Sequence, residues 1–420
     1  MRFNLQKILA VLLISALSIA ALAQASQTPT AEAKPAPPPD RWRGLIGEYG
    51  PDDNILMVLE KDGRLFALFK RTEFEPLQEL SRNAFKFAGD GSHAGKQLVF
   101  TRDKNGHGVQ VTLDAIALKR RQIGPEEGTA QLHVAPVRPV KELLKEAMAA
   151  NPPKENGDFR QPELVELTRL DPTIKLDIRY ATTNNFLGTV FYSEPRAFMQ
   201  RPAAEALVRA HRKLKELGYG LLIHDAYRPW YVTKVFWEAT PDDKKVFVAD
   251  PTKGSRHNRG CAVDLTLYDL KTGKPVEMVS TYDETSDRAY PNYPGGTSLQ
   301  RWHRELLRRT MEAEGFTVYE AEWWHFDYKD WQKYPILNLR FDQPSSAFIC
   351  APVCPEHAIE ESHYSRVDLH DVGEAHEVMR VVWYDQLFIR DSGLIQSSYK
   401  IGRLIETHVA IVVAVNQQHR

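Results

Sequence analysis

Two short segments far apart in the chain must meet in space, and that demand constrains the fold more than any other feature. One is Ser255-Arg256-His257-Asn258-Arg259-Gly260-Cys261-Ala262-Val263-Asp264; the other is Glu322-Trp323-Trp324-His325. Together they carry two imidazoles, one carboxylate able to bind a metal, and a further carboxylate. A catalytic zinc centre needs that inventory: three protein ligands, one open position for water and a general base beside it. The pairing points to metal-assisted hydrolysis.

Each half carries its own structural demand. Cys261 to Leu267 alternates as a strand, with Val263, Leu265 and Leu267 on one face and Asp264 and Thr266 on the other. A carboxylate among such apolar neighbours is costly without a partner. His257 precedes it in a loop, and Gly260 lets the backbone turn tightly between them. Taken alone, this half reads equally as a turn-capping aspartate and a surface histidine. Phe316 to Ala321 reads as a strand leading into Glu322 and His325. On a straight strand those two residues point to opposite faces. They serve one site only if the strand bends, twists or bulges there.

The surrounding region, about residues 162–341, has an α+β pattern. Ile174 to Tyr180 alternates like a strand, and Gly220 to Asp225 looks like a buried one. Ala203 to Leu217 and Leu299 to Glu314 have helical spacing, ended by Gly218 and Gly315.

Three motifs now stand in order: Asp225-Ala226-Tyr227-Arg228-Pro229, then Ser255-x-His257-x-x-Gly260-x-Ala262-x-Asp264, then Glu322-Trp323-Trp324-His325-Phe326. In them the chain resembles the D-alanyl-D-alanine dipeptidases of the vancomycin-resistance type. These are zinc D,D-peptidases related to bacterial carboxypeptidases and hedgehog-like folds. The resemblance implies an α+β zinc peptidase domain with a mostly antiparallel sheet over residues 162–341. It implies one catalytic Zn2+ held by His257, Asp264 and His325, with Glu322 as general base for the attacking water. Arg228 would stabilise the oxyanion over the scissile carbonyl; the plainer reading of Arg228 is a bridge to Asp225. Ser255 would bind the substrate carboxylate, Asp283 the free amine, and Tyr180 would line the pocket. The implied substrate is D-Ala-D-Ala or another short D-containing peptide. An anion at Asp283 favours a cationic N-terminus and excludes longer acylated chains.

The rest of the chain departs from that family's usual form. Residues 1–23 read as a signal peptide: Arg2 and Lys7 precede an uncharged apolar run from Ile8 to Ala23. The mature protein is therefore expected to be exported, periplasmic or secreted, with no stable membrane anchor after cleavage. Residues 24–41 form a Pro/Ala-rich linker. Residues 42–121 show short alternating strands and turn signals, including Asp62-Gly63 and Asn105-Gly106. They are expected to form a small all-β barrel-like domain, and Gly47-Glu48-Tyr49-Gly50 with the hairpin resembles the lipocalin-like domain of some exported serine hydrolases. An accessory role is expected there, with a peptidoglycan fragment as candidate ligand. Residues 122–161 read as a connector with one helix from Val140 to Ala150. Residues 342–420 are a C-terminal extension whose histidines have no ligand spacing. Three cysteines, Cys261, Cys350 and Cys354, are too few for a disulfide scaffold. A net charge of −1 offers nothing to a nucleic acid.

Two rival functions remain at this level. One is a D,D-carboxypeptidase or endopeptidase acting on peptidoglycan. The other is a wall-binding protein with a degenerate peptidase domain, against which the complete set Arg228, His257, Asp264, Glu322 and His325 argues.

Overall fold

The Asp62-Gly63 turn sets the pattern of the N-terminal half. Both residues have positive φ, 51° and 76°, the geometry that matches the twist of the strands they join. In the computed structural model, which describes residues 33–123 and 133–342, eight strands form a meander. They are β1 (Gly47–Tyr49), β2 (Leu56–Lys61), β3 (Arg64–Phe69), β4 (Glu73–Glu79), β5 (Ala84–Phe87), β6 (Gln97–Arg102), β7 (Gly108–Leu113) and β8 (Ile116–Lys119). Each pairs antiparallel with the next. A bridge between Tyr49 and Arg120 brings β1 against the end of β8. Arg121 N donates to Glu48 O at 2.8 Å there, so the sheet curls into a nearly closed barrel. Tyr49, Val58, Phe85, Phe87, Phe100 and Val111 fill its interior.

Strand β2 is apolar on both faces, and the reason lies outside the barrel. Val58 points inward, while Met57 and Leu59, with Leu68 of β3, join the core of the larger sheet. An unbroken apolar run rather than alternation is the signature of such a doubly covered strand. Each of these side chains stabilises the contact by roughly 1.5–3 kcal/mol when fully buried. The barrel and the larger sheet belong to one compact unit.

The larger sheet has the order β10 (Lys175–Leu176), β12 (Tyr219–Asp225), β13 (Ala262–Asp269), β15 (Glu322–Tyr328), β14 (Phe316–Tyr319). A separate pair, β9 (Leu164–Glu166) and β11 (Phe198–Gln200), lies beside it. β10 runs parallel to β12. β13, β15 and β14 continue antiparallel. The sheet is thus mostly antiparallel, as expected. Among the described residues four helices of ten residues or more accompany it: α1 (Val140–Ala149), α2 (Arg201–Glu216), α3 (Trp230–Ala239) and α4 (Ser298–Ala313). In α2 the buried residues Ala203, Ala206, Leu207, Ala210 and Leu214 recur at helical spacing. α4 begins at a capping box between Thr297 and Gln300. Gly218 and Gly315 follow α2 and α4 with φ of 87° and 86°, where a side chain would be strained.

Two strand expectations are corrected. Only Lys175 and Leu176 of the 174–180 stretch pair as a strand. The chain then leaves the sheet in a 3-10 turn, Arg179–Ala181, that buries Tyr180 among Phe186, Phe191, Tyr192 and Phe236. The expected strand from Phe316 to Ala321 ends at Tyr319, and the chain reverses there into a hairpin with β15. The signal segment 1–23, part of the linker, the 342–420 extension beyond Asp342 and both Cys350 and Cys354 lie outside the described residues. Among the described residues no helix is long and apolar enough to cross a membrane.

Candidate active site

The site is a row of residues laid across three neighbouring strands. Register places Asp225 of β12 beside Asp264 of β13, and Asp264 beside His325 of β15. β15 then does what the spacing of Glu322 and His325 requires. It pairs with β14 at Phe326–Val318 and again at Glu322–Tyr319. Trp323, Trp324 and His325 therefore bulge out where β14 has no residue to match. The bulge turns Glu322 and His325 to the same side, with Glu322 Oε2 3.8 Å from His325 Nδ1. Trp324 packs its ring edge on Tyr282, and Trp323 Nε1 donates to Ser280 Oγ at 2.8 Å on the other side.

His257 arrives on a tight turn, His257–Arg259, closed by Gly260 at φ 67°. A Cβ on Gly260 would lie 2.4 Å from Leu164 Cδ2, so the turn needs glycine twice over. Asn258 fastens this turn to the Arg228 loop. Its side-chain amide donates to Arg228 O and Thr233 Oγ1, both at 2.8 Å, and its oxygen accepts from Ser255 N at 2.8 Å.

The hydrogen bonds fix which ring nitrogens face inward. His257 Nδ1 lies 2.6 Å from Ala226 O. A carbonyl only accepts, so Nδ1 carries the proton and Nε2 presents a lone pair. His325 Nε2 lies 2.9 Å from Asp327 Oδ1, which leaves Nδ1 as the inward lone pair. His257 Nε2 and His325 Nδ1 are 3.1 Å apart, and Asp264 Oδ1 is 3.3 and 3.0 Å from them. Three acceptors thus converge in a buried place, and His257, Asp264 and His325 could hold a metal ion. The outer contacts to Ala226 and Asp327 are those that orient metal-binding imidazoles. Burial disfavours a charged His325, but Asp327 and Asp264 override it and push its pKa up to about 10. Burial would likewise raise Asp264, yet His257 and His325 hold it well below the usual carboxylate range. The donor set fits a divalent cation such as zinc.

Around this cluster stand the remaining expected residues. Arg228 is buried; its Nε and Nη2 both lie 2.8 Å from Asp225 Oδ2, and Nη2 is 3.6 Å from Asp264 Oδ2. The guanidinium also lies over the rings of Tyr180 and Phe236. Glu322 is pushed up to about 8, first by burial and then by the charges of Asp264 and Asp283. Asp283 has a left-handed backbone, φ 60°, and accepts from Tyr180 Oη at 3.1 Å. Burial, and then Asp264, push it up to about 7. Ser255 Oγ accepts from His257 N at 3.2 Å. All eight expected residues line one cleft of about 480 Å³.

Four contributors were not anticipated in the sequence. Tyr282 Oη donates to Asp264 Oδ2 at 3.0 Å, and Tyr192 Oη donates to Asp225 Oδ1 at 2.7 Å. Asn258 and Asp327 are the others. Of these only Asp327 had a readable signal, since it follows His325 by two and shares its strand face.

This is the sheet and the side-chain cluster of a peptidase, a hydrolase of peptide bonds. Residues 160–348 match peptidase family M15, described as D-ala-D-ala dipeptidase. The chain is 34% identical over 179 residues to the D-alanyl-D-alanine dipeptidase of Escherichia coli, covering 43% of this chain and 91% of that protein. It is 36% identical over 186 residues to the one from Enterococcus faecalis, covering 40% of this chain and 92% of that protein. The relative from Enterococcus faecium is 35% identical over 192 residues, with 41% and 92% covered. The chain belongs to the D-alanyl-D-alanine dipeptidase family.

Proposed function

We propose that the chain is an exported zinc-dependent dipeptidase that hydrolyses D-Ala-D-Ala, or a similar D-amino-acid dipeptide, in cell-wall peptide turnover. One observation carries the reading: His257 Nε2, Asp264 Oδ1 and His325 Nδ1 converge beside Glu322 in a single cleft. These three residues would hold one Zn2+, which supplies Lewis-acid polarisation of the scissile carbonyl and a lowered pKa for water. The M15 family is generally zinc-dependent.

Glu322 takes the proton of the attacking water and returns it to the leaving amine. Its raised proton affinity suits a group that must both accept and give back a proton near neutral pH. Arg228, held rigid by Asp225 and two aromatic rings, meets the oxyanion as a preorganised cation. Asp283 takes the substrate's ammonium, and Tyr180 orients it. Ser255 donates its hydroxyl proton to the substrate carboxylate while its oxygen stays bonded to His257 N. Export rests on Arg2, Lys7 and the apolar run after them. It favours scavenging of wall-derived dipeptides outside the cytoplasm.

The purified mature protein should hydrolyse D-Ala-D-Ala, lose activity to a chelator and regain it with zinc. Faster cleavage of pentapeptide or crosslinked muropeptides than of the dipeptide would replace this reading with the carboxypeptidase or endopeptidase one. Zinc binding without turnover of any of these would favour a wall-binding protein.

A further inference from the structure

The barrel's interior is packed with its own side chains, yet two of its carboxylates, Glu48 and Glu60, are buried and reach outward. Both grip the segment that leads from the cleft to α4. Glu48 Oε1 accepts from Tyr293 Oη at 2.9 Å. Glu60 Oε2 accepts from Ser298 N at 2.7 Å, and its Oε1 from Ser298 Oγ at 3.2 Å. A carboxylate of the barrel thereby caps a sixteen-residue helix of the peptidase, where the helix dipole favours negative charge. The backbone of β2 adds to the grip. Glu60 N donates to Gly296 O at 3.1 Å, Asp62 N to Ser298 Oγ at 3.0 Å, and Arg301 Nη2 to Glu60 O at 2.6 Å. Arg71 of the barrel pairs with Asp287.

The same segment carries Asp283 at its other end. Glu284, buried, accepts from Arg288 Nε at 2.7 Å and Nη2 at 2.8 Å, and from Thr281 N at 3.3 Å. It therefore ties residues on either side of Asp283 to the part the barrel holds. Asp283 itself sits in a left-handed conformation, one that aspartate tolerates better than most residues, and its carboxylate is held by Tyr180 Oη at 3.1 Å.

We propose that the barrel is a specificity element of the peptidase. Through Glu48 and Glu60 it fixes the 281–297 segment, and with it Asp283, so that the barrel sets the preference for dipeptides with a free amine over N-acylated ones. The inference rests on the amine-binding role given to Asp283. Glu48 and Glu60 are positioning residues, and neither touches substrate.

The test uses the full mature chain with D-Ala-D-Ala and N-acetyl-D-Ala-D-Ala. Glu60→Gln and Tyr293→Phe are measured beside Asp283→Asn. Wild type should prefer the free dipeptide, and Asp283→Asn should abolish that preference. Glu60→Gln should raise KM for D-Ala-D-Ala about tenfold, leave kcat within about twofold, and change the acetylated substrate far less. Where Glu60→Gln fails to fold, Tyr293→Phe carries the same test, because it removes one hydroxyl. Folded variants that keep the wild-type preference, or lose kcat equally on both substrates, would overturn the role of the barrel while leaving Asp283 in place. If Asp283→Asn itself keeps the preference, the reading of the amine site falls, and the inference falls with it.

Discussion

Replacing Arg228 with methionine separates catalysis from structure at this site. Methionine fills much of the same volume but removes the charge. In the folded protein Arg228 neutralises Asp225, which is fully buried; Tyr192 Oη is then the remaining donor to that carboxylate. Stranding one member of a buried ion pair costs about 3–5 kcal/mol. At about 2.1 cal/mol/K of unfolding entropy per residue, a unit of roughly 300 residues shifts its Tm by roughly 1.6 °C per kcal/mol, so Tm should fall by roughly 5–8 °C. Turnover should fall for a different reason. Loss of one oxyanion-stabilising donor costs about 10²–10³ in kcat. The double variant Asp225→Asn/Arg228→Met distinguishes the two effects. Asparagine removes the stranded charge and still accepts from Tyr192, so most of the lost Tm should return. The kcat for D-Ala-D-Ala should stay at the level of Arg228→Met. Recovery of kcat to within about tenfold of wild type in the double variant would refute the oxyanion role and leave Arg228 as a structural bridge.

Three further outcomes are expected. Glu322→Gln should retain one zinc per chain by metal analysis and lose about 10²–10⁴ in kcat, whereas His257→Ala and Asp264→Ala should lose the metal itself; zinc loss in Glu322→Gln would make Glu322 a ligand. Asp283 is raised to about 7, so KM for D-Ala-D-Ala should fall as pH rises through that value and its carboxylate ionises, and Asp283→Asn should flatten the profile. The folded state binds this proton where the unfolded chain has lost it, so the contribution of Asp283 to stability declines between about pH 4 and 7. His303 behaves oppositely: burial in α4 pushes it down to about 4. Its neutral form is the folded one, so stability is full above the ordinary histidine value and is lost as pH falls toward 4, by roughly 3 kcal/mol for a shift of this size. Urea melts between pH 4 and 7 should show that slope, and His303→Gln should reduce it.

What the sequence disclosed follows from which forces act locally. Helices α2 and α4 were legible because their apolar spacing and terminal glycines are set by the helix itself. The candidate ligand motifs stood out because metal chemistry restricts residue type. β4 was hidden by Pro76 and three glutamates, Glu73, Glu75 and Glu79; its identity as a strand comes from pairing with β3 and β5, not from its composition. Ile174 to Tyr180 misled for the converse reason. Ile174, Ile178 and Tyr180 are all buried, yet alternation does not report whether the backbone finds a partner strand, and after Leu176 it leaves the sheet. Asn258, Tyr192 and Tyr282 could not be read at all. Each acts through a hydrogen bond to a residue that only the fold brings near.

The bulge at Trp323 to His325 also decides how the site fails. Glu322 and His325 are separated by a short covalent path along one strand, so their spacing survives as long as that hairpin does. His257 and Arg228 reach the same cleft from two other loops, joined through Asn258. Heat or denaturant that loosens those loops would withdraw one imidazole and the Arg228 guanidinium together, leaving Glu322 beside two of the three candidate ligands, Asp264 and His325. The enzyme is then a covalent half-site completed by tertiary packing, and its metal affinity and turnover should decay in step before the strand pairing is lost.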